Sequence, residues 1–188
     1  MSNKPVGILL AAGKSQRFNS NKLLHPIINN TSMLLVVAKK LAGVLPGSIV
    51  VISPTLKTYT TQLKQLGLQV VINEQAALGM GSSIACGVRA SKDASGWLIT
   101  LADMPYIKTE TLTLLANRLT EGAHMVAPQY KQQRGHPVGF CHAYINELLA
   151  LNEDIGARTI IKSNQEKLTL VLTDDEGVVR DIDYSGDV

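Results

Sequence analysis

Gly7-Ile-Leu-Leu-Ala-Ala-Gly13-Lys14-Ser-Gln-Arg17-Phe-Asn-Ser-Asn-Lys22 is the stretch from which the rest of the chain is read. Ile8 to Leu10 form the apolar run of a buried strand, which breaks into the small residues Ala11, Ala12 and Gly13. A strand that stops at glycine leaves backbone N–H groups open to an anion, with no side chain in the way. Lys14, Arg17 and Lys22 then bring positive charge to the same place. The combination implies a first strand whose end grips a polyphosphate; a plain basic turn is the competing reading. Spacing argues against a P-loop, which needs Gly, four residues, then Gly-Lys-Ser/Thr. Upstream of Gly13-Lys14-Ser15 the glycine is Gly7, one residue too far, and Ile8 stands where it should be.

Working outward, apolar β-rich runs recur at 48–52, 68–72, 97–101, 125–127, 138–141, 168–172 and 178–182. Segments of helical period lie between the early ones. Leu34, Val37, Ala38 and Leu41 share one face; Leu56, Tyr59, Leu63 and Leu66 share another, stopped by Gly67. Leu112, Leu115 and Leu119 make a third, entered through Thr109 as the expected N-cap. Alternation of strand and helix over the first 120 residues predicts crossover units and a mostly parallel sheet. Towards the end, 168–172 and 178–182 read as a hairpin around Asp174-Asp-Glu-Gly177, and 130–135 links two short strands. The expected fold is a three-layer α/β/α, Rossmann-like domain with antiparallel additions at one side. Ligands of such sheets sit beyond the carboxyl ends of the strands, where Ala11–Gly13 and Ala102–Asp103 would lie.

Composition sets the frame. A length of 188 residues suits one domain spanning 1–188, and 45% hydrophobic with 18% charged residues is ordinary for a globular protein. A net charge of +3 with 4% aromatic residues gives no footprint for nucleic acid. The N-terminal apolar run is too short for a membrane span or a convincing signal peptide. Cys86 and Cys141 lie far apart with no CxxC, as expected of buried thiols in a reducing cytoplasm.

Three further motifs carry chemistry. In Trp97-Leu-Ile-Thr-Leu-Ala-Asp103-Met-Pro105 a solid apolar run ends in a carboxylate. A buried charge needs compensation. Mg²⁺ shared with phosphate oxygens would supply it, and so would a turn-capping role ahead of Pro105. Leu78-Gly-Met-Gly81-Ser82-Ser83 opens a helix and offers free N–H groups, or is simply a cap. Arg134-Gly135-His136-Pro137 is a compact turn with two polar side chains expected to point outward, either to clamp a phosphate or as a solvated loop.

Together these pieces resemble the small nucleotidyltransferase family that includes the molybdenum cofactor cytidylyl- and guanylyltransferases, the MobA-like NTP transferases. LAAGKSQRFNSNKLL, GMGSSIACGV, LADMPYI, RGHPVGF, IGART and DIDYSGD occur in the family's order over nearly the whole chain. The resemblance implies that Leu10, Ala11, Ala12 and Gly13 contact a nucleotide, with Lys22 and Arg17 on its phosphates. It implies Mg²⁺ on Asp103, with Asp183 as a second metal ligand. Asn73, Gly81 and Ser82 would lie by base and ribose; Arg134, His136 and Arg158 would face the acceptor. The implied reaction is transfer of a nucleoside monophosphate to the phosphate of a molybdopterin-type acceptor, with release of pyrophosphate. Leu10-Ala-Ala-Gly13 favours CTP over GTP, the guanylyl branch more often having Gly at Ala12. A recipient molybdoenzyme or its chaperone is the implied protein partner. Asn19 and Asn21 depart from a usual Gly and acid, and Tyr184-Ser185-Gly186 from a usual Thr-Pro pair. A sugar- or alcohol-phosphate acceptor is the alternative within this chemistry; a non-catalytic carrier of a finished nucleotide cofactor is the alternative outside it.

Overall fold

The computed structural model describes residues 4–13, 22–152 and 154–182. In chain order these are β1 (Val6–Ala11), β2 (Pro26–Ile28), β3 (Thr31–Ser32), α1 (Met33–Val44), β4 (Ile49–Ile52), α2 (Thr60–Gln65), β5 (Gln69–Ile72), α3 (Met80–Arg89), β6 (Gly96–Leu101), α4 (Thr109–Thr120), β7 (Met125–Tyr130), β8 (Gln133–Arg134), β9 (Val138–Cys141), α5 (Ile145–Leu149), α6 (Arg158–Ser163) and β10 (Leu168–Leu172). A short 3₁₀ turn, Glu176–Val179, follows the last strand.

The main sheet runs β10-β7-β9-β6-β1-β4-β5, with β8 added to β7. β1 pairs in parallel with β4 on one side and β6 on the other. Both central strands are buried along nearly their whole length, as a sheet covered on both faces requires. Alternate residues of β1 serve opposite layers. Leu9 and Ala11 join Val37, Leu41, Leu112 and Leu115 under α1 and α4. Ile8 and Leu10 join Ile84, Val88, Leu148 and Ile161 under α3, α5 and α6. The three-layer, mostly parallel α/β/α fold read from the sequence is therefore the one observed.

Register brings the site together. Leu10 is opposite Leu101, so both strands end level, and Ala102 N–H donates to Leu10 O at 3.1 Å to extend the pairing one step. α3 lies close over β1 because Gly87 has no side chain; a Cβ there would come within 2.7 Å of Ile8 Cγ2. The start of α3 is thereby held above the end of β1.

The chain departs from expectation at its end. β10 pairs in parallel with β7, Leu168 opposite Met125, and forms no hairpin with 178–182. The following segment is a strap under α4, with Val178 and Ile182 fully buried in the α1/α4 layer. Asp175 explains the difference. Its carboxylate is buried and accepts from Lys108 N–H (2.8 Å), Thr111 Oγ1 (2.7 Å) and Gly177 N–H (3.0 Å). Thr109, expected as the cap, is instead the first helical residue of α4, and Lys108 occupies the cap position. Within the main sheet antiparallel additions are confined to β9, between β6 and β7, and to β8, while β2 and β3 form a separate antiparallel pair. The face through Leu56 and Leu63 is split between a 3₁₀ turn, Pro54–Tyr59, and α2.

Candidate active site

Beyond the carboxyl ends of β1 and β6 lies a cavity of about 420 Å³, within the usual size range of small-molecule sites. Leu10, Ala12 and Gly13 form one wall, Leu101 and Asp103 the next, and Lys22 and Leu23 close the side between them. The opposite wall is Ala76 to Met80 with Ser83, and Asp154 stands at its edge. The glycine turn and the carboxylate thus share one space.

Lys22 and Asp103 are paired inside it. Lys22 Nζ donates to Asp103 Oδ2 at 2.8 Å and to the Ile182 carbonyl at 3.0 Å, while Ile182 N–H donates back to Asp103 O at 3.0 Å. The two side chains are only 15% and 24% exposed, so the pair is partly shielded from solvent screening. Buried β6 thus delivers its terminal carboxylate into a cation's reach. Among the described residues no group of three or more His, Cys, Asp and Glu could hold a metal by itself. Asp103 nonetheless fits Mg²⁺, which binds through one or two carboxylates and completes its shell with phosphate oxygens and water.

The nucleotide-side residues divide. Leu10, Ala12 and Gly13 line the cavity; Ala11 is buried and faces the α1/α4 core. Asn73 and Ser82 stand behind the wall, among the buried polar residues. Asn73 Nδ2 donates to Ser82 Oγ and Ser83 Oγ, both at 3.0 Å, and Asn73 Oδ1 accepts from Gln75 N–H. Ser82 Oγ in turn donates to Gly79 O at 2.8 Å. This network shapes the loop before α3, while Gly81 is buried in that helix. The residues of this segment that face the cavity are Ala76, Ala77, Leu78, Gly79, Met80 and Ser83. Leu78 and Met80 are 53% and 40% exposed and give an apolar platform suited to a flat ring. Gly79 has φ of +107° and sits so close to Asp154 that a Cβ would meet its Cα at 2.6 Å. Asp154 Oδ1 accepts from Met80 N–H at 3.3 Å.

Arg134, His136 and Arg158 are the residues expected on the acceptor side. Arg134 and Arg158 are exposed, whereas His136 is half-buried, a correction to its expected outward aim. Its backbone N–H donates to Val178 O at 2.8 Å, and its Nδ1 is buried with no hydrogen-bond partner among the described residues. Burial lowers the imidazole pKa, and Arg134 and Arg158 lower it further, while Asp103 and Asp181 oppose them. None of the three lines the cavity. Arg17 and Asp183 lie outside the described residues, as do Asn19 and Asn21.

The sheet brings a glycine turn and a paired carboxylate into one cavity. The family model for the MobA-like NTP transferase domain matches residues 7–168, and the chain belongs to that family. PucB, a purine catabolism protein of Bacillus subtilis, is 28% identical over 192 residues, covering 95% of this chain and 91% of its own. The bifunctional protein GlmU of Parvibaculum lavamentivorans is 28% identical over 144 residues, 74% of this chain, which spans about a third (31%) of its length. Among solved structures, the Rv0371c homologue of Mycobacterium sp. strain JC1 superposes with a TM-score of 0.84 at 24% identity, covering all of this chain and 94% of that one. Rv0371c of Mycobacterium tuberculosis in complex with manganese gives 0.77 at 21% identity, over 98% of this chain and 95% of its own. Among the described residues no helix is long and apolar enough to cross a membrane.

Proposed function

We propose that this chain, acting as one domain, transfers a nucleoside monophosphate from CTP to the phosphate of a molybdopterin-type acceptor and releases pyrophosphate. The observation that carries the reading is the shared cavity: Gly13, Lys22 and Asp103 line one space at the ends of two central strands. Backbone N–H groups at the Ala12–Gly13 turn receive phosphate oxygens. Lys22 stands 2.8 Å from Asp103 and can shift from carboxylate to phosphate, so charge is balanced before and after binding. Mg²⁺ held by Asp103, with Asp183 as a second ligand, would neutralise the charge that develops on the leaving pyrophosphate. Rv0371c, of the same fold, has been seen with manganese.

The acceptor's own phosphate, with a second pKa near ~6, is an ionised nucleophile at neutral pH. No general base is demanded, and His136, with its pKa lowered, is suited to stay neutral and position the acceptor. Arg134 and Arg158 add the positive charge that holds a second polyanion near the first. Ala12 in the first turn supports CTP over GTP. The two cysteines are free, in keeping with a reducing cytoplasm. A recipient molybdoenzyme would take the product.

Pyrophosphate release, measured with each of the four nucleoside triphosphates and with molybdopterin or a sugar phosphate as acceptor, tests this. CTP with molybdopterin should turn over fastest, and only with a divalent cation. Preference for a sugar phosphate would overturn the acceptor, preference for GTP the nucleotide, and binding without turnover would make the chain a carrier.

A further inference from the structure

Lys40, on α1, is not among the residues of any motif, yet its side chain is fixed at two points. Nζ donates to Pro105 O at 2.7 Å and to Ile107 O at 2.8 Å. A lysine on a helix surface ordinarily keeps its rotamer freedom in water, and holding one costs side-chain entropy. Here the half-buried ammonium is spent on two backbone carbonyls of the loop that carries Asp103. That loop, between β6 and α4, is tied at two further points, by Ile182 N–H to Asp103 O and by Lys108 N–H to the Asp175 carboxylate. Asp175 and Glu110 are the acidic groups facing Lys40, and they offset part of what burial takes from its charge.

Helix α1 also holds the other member of the pair. Its first residue, Met33, donates its N–H to His25 O at 3.0 Å, and His25 N–H donates to Lys22 O at 3.1 Å. One rigid helix therefore carries the Lys22 turn at its N-terminal end and ties down the Asp103 loop two turns further along. We infer that Lys40 is a positioning residue for nucleotide transfer, setting the Asp103 carboxylate through the Pro105 and Ile107 carbonyls so that metal, phosphate and Lys22 meet at a fixed distance. The inference rests on the transfer reading, because it takes Asp103 as the group being positioned.

Calorimetric titration of CTP, with GTP alongside, into the full chain with and without Mg²⁺ is the test. The wild type should bind the triphosphate more tightly with Mg²⁺, and Asp103→Ala should lose that gain. Lys40→Met should lose about tenfold of it or more, the usual effect of removing a group that orients a metal ligand, with metal-free affinity within about twofold of wild type. Lys40→Arg, which keeps charge and donors, should restore most of the gain. Lys40→Met added to Asp103→Ala should cost nothing further. In the ligand-free protein, Lys40→Met should speed amide exchange of the loop at 104–108 but not of β4. If Lys40→Met does not fold, Lys40→Gln, able to serve one carbonyl, should show a partial loss. Wild-type magnesium dependence in Lys40→Met or Lys40→Gln while Asp103→Ala has lost it overturns this inference alone. So does an equal loss of affinity with and without the metal, which would mark a purely structural role. Triphosphate binding indifferent to Mg²⁺ in the wild type would instead overturn the transfer reading, and this inference with it.

Discussion

Asp103 follows a strand buried on both faces, and a carboxylate in that position must be compensated. Lys22 compensates it, at 2.8 Å. Removing the carboxylate with Asp103→Ala should lower turnover in pyrophosphate release by roughly two orders of magnitude or more; full magnesium-dependent activity would remove Asp103 from the mechanism. His136 gives a prediction about stability. Its folded pKa lies below the ordinary value because burial disfavours the imidazolium, and so do the nearby arginines. The unfolded chain then binds the proton first, so stability should hold above about pH 6.5 and fall as pH drops from there towards the folded pKa. Melting temperatures from pH 7.5 to 5 measure this, and His136→Gln should flatten the profile in that window. Asp103 is legible in the sequence from the solid apolar run that it follows. Ser82 is harder to place. Side chains on a helix lean back towards its N-terminus, and the Ser82 hydroxyl is consumed by Gly79 O and Asn73. Cavity contact therefore falls to Ala76–Met80 and Ser83. Nothing in the spacing of the sequence marks Asp154 as their neighbour, since that contact depends on two distant loops meeting at Gly79.

At the scale of elements, helices α1 and α4 and strands β1, β4 and β6 are readable from period alone, because each buries a regular stripe or a solid run. The final strap is not. The runs 168–172 and 178–182 flank turn residues and look like partners, but β10 finds its partner at Met125–Gln129 and leaves Leu172 75% exposed at the sheet edge. Asp175 falls in the Asp174-Asp-Glu-Gly177 segment that reads as the turn of a hairpin. Burial of its carboxylate under α4, with donors from Lys108, Thr111 and Gly177, is a tertiary fact. Asp175→Ala leaves these donors without an acceptor. It should cost on the order of 3 kcal/mol and lower the melting temperature by roughly 6–12 °C. A change of less than about 2 °C would show that the strap is held by Val178 and Ile182 alone. The same strap meets the turn at Gly135, where a Cβ would come within 2.3 Å of Val178 O.

Across the whole molecule, the order of strands does what no single motif can. Placing β1 beside β6 in register turns two motifs some ninety residues apart in sequence into two walls of one cavity. The ends of the first and fourth parallel strands can be expected together from the alternation of elements; the apolar wall opposite cannot, because it is made by a loop before α3. A crystal structure of the chain with a non-hydrolysable CTP analogue and Mg²⁺ tests the transfer reading most directly. Triphosphate density should lie on the Ala12–Gly13 turn, with a metal ion bonded to Asp103 and Lys22 turned from the carboxylate to a phosphate oxygen. A nucleotide bound elsewhere, or bound here with the Lys22–Asp103 pair intact and no metal between carboxylate and phosphate, would contradict that reading.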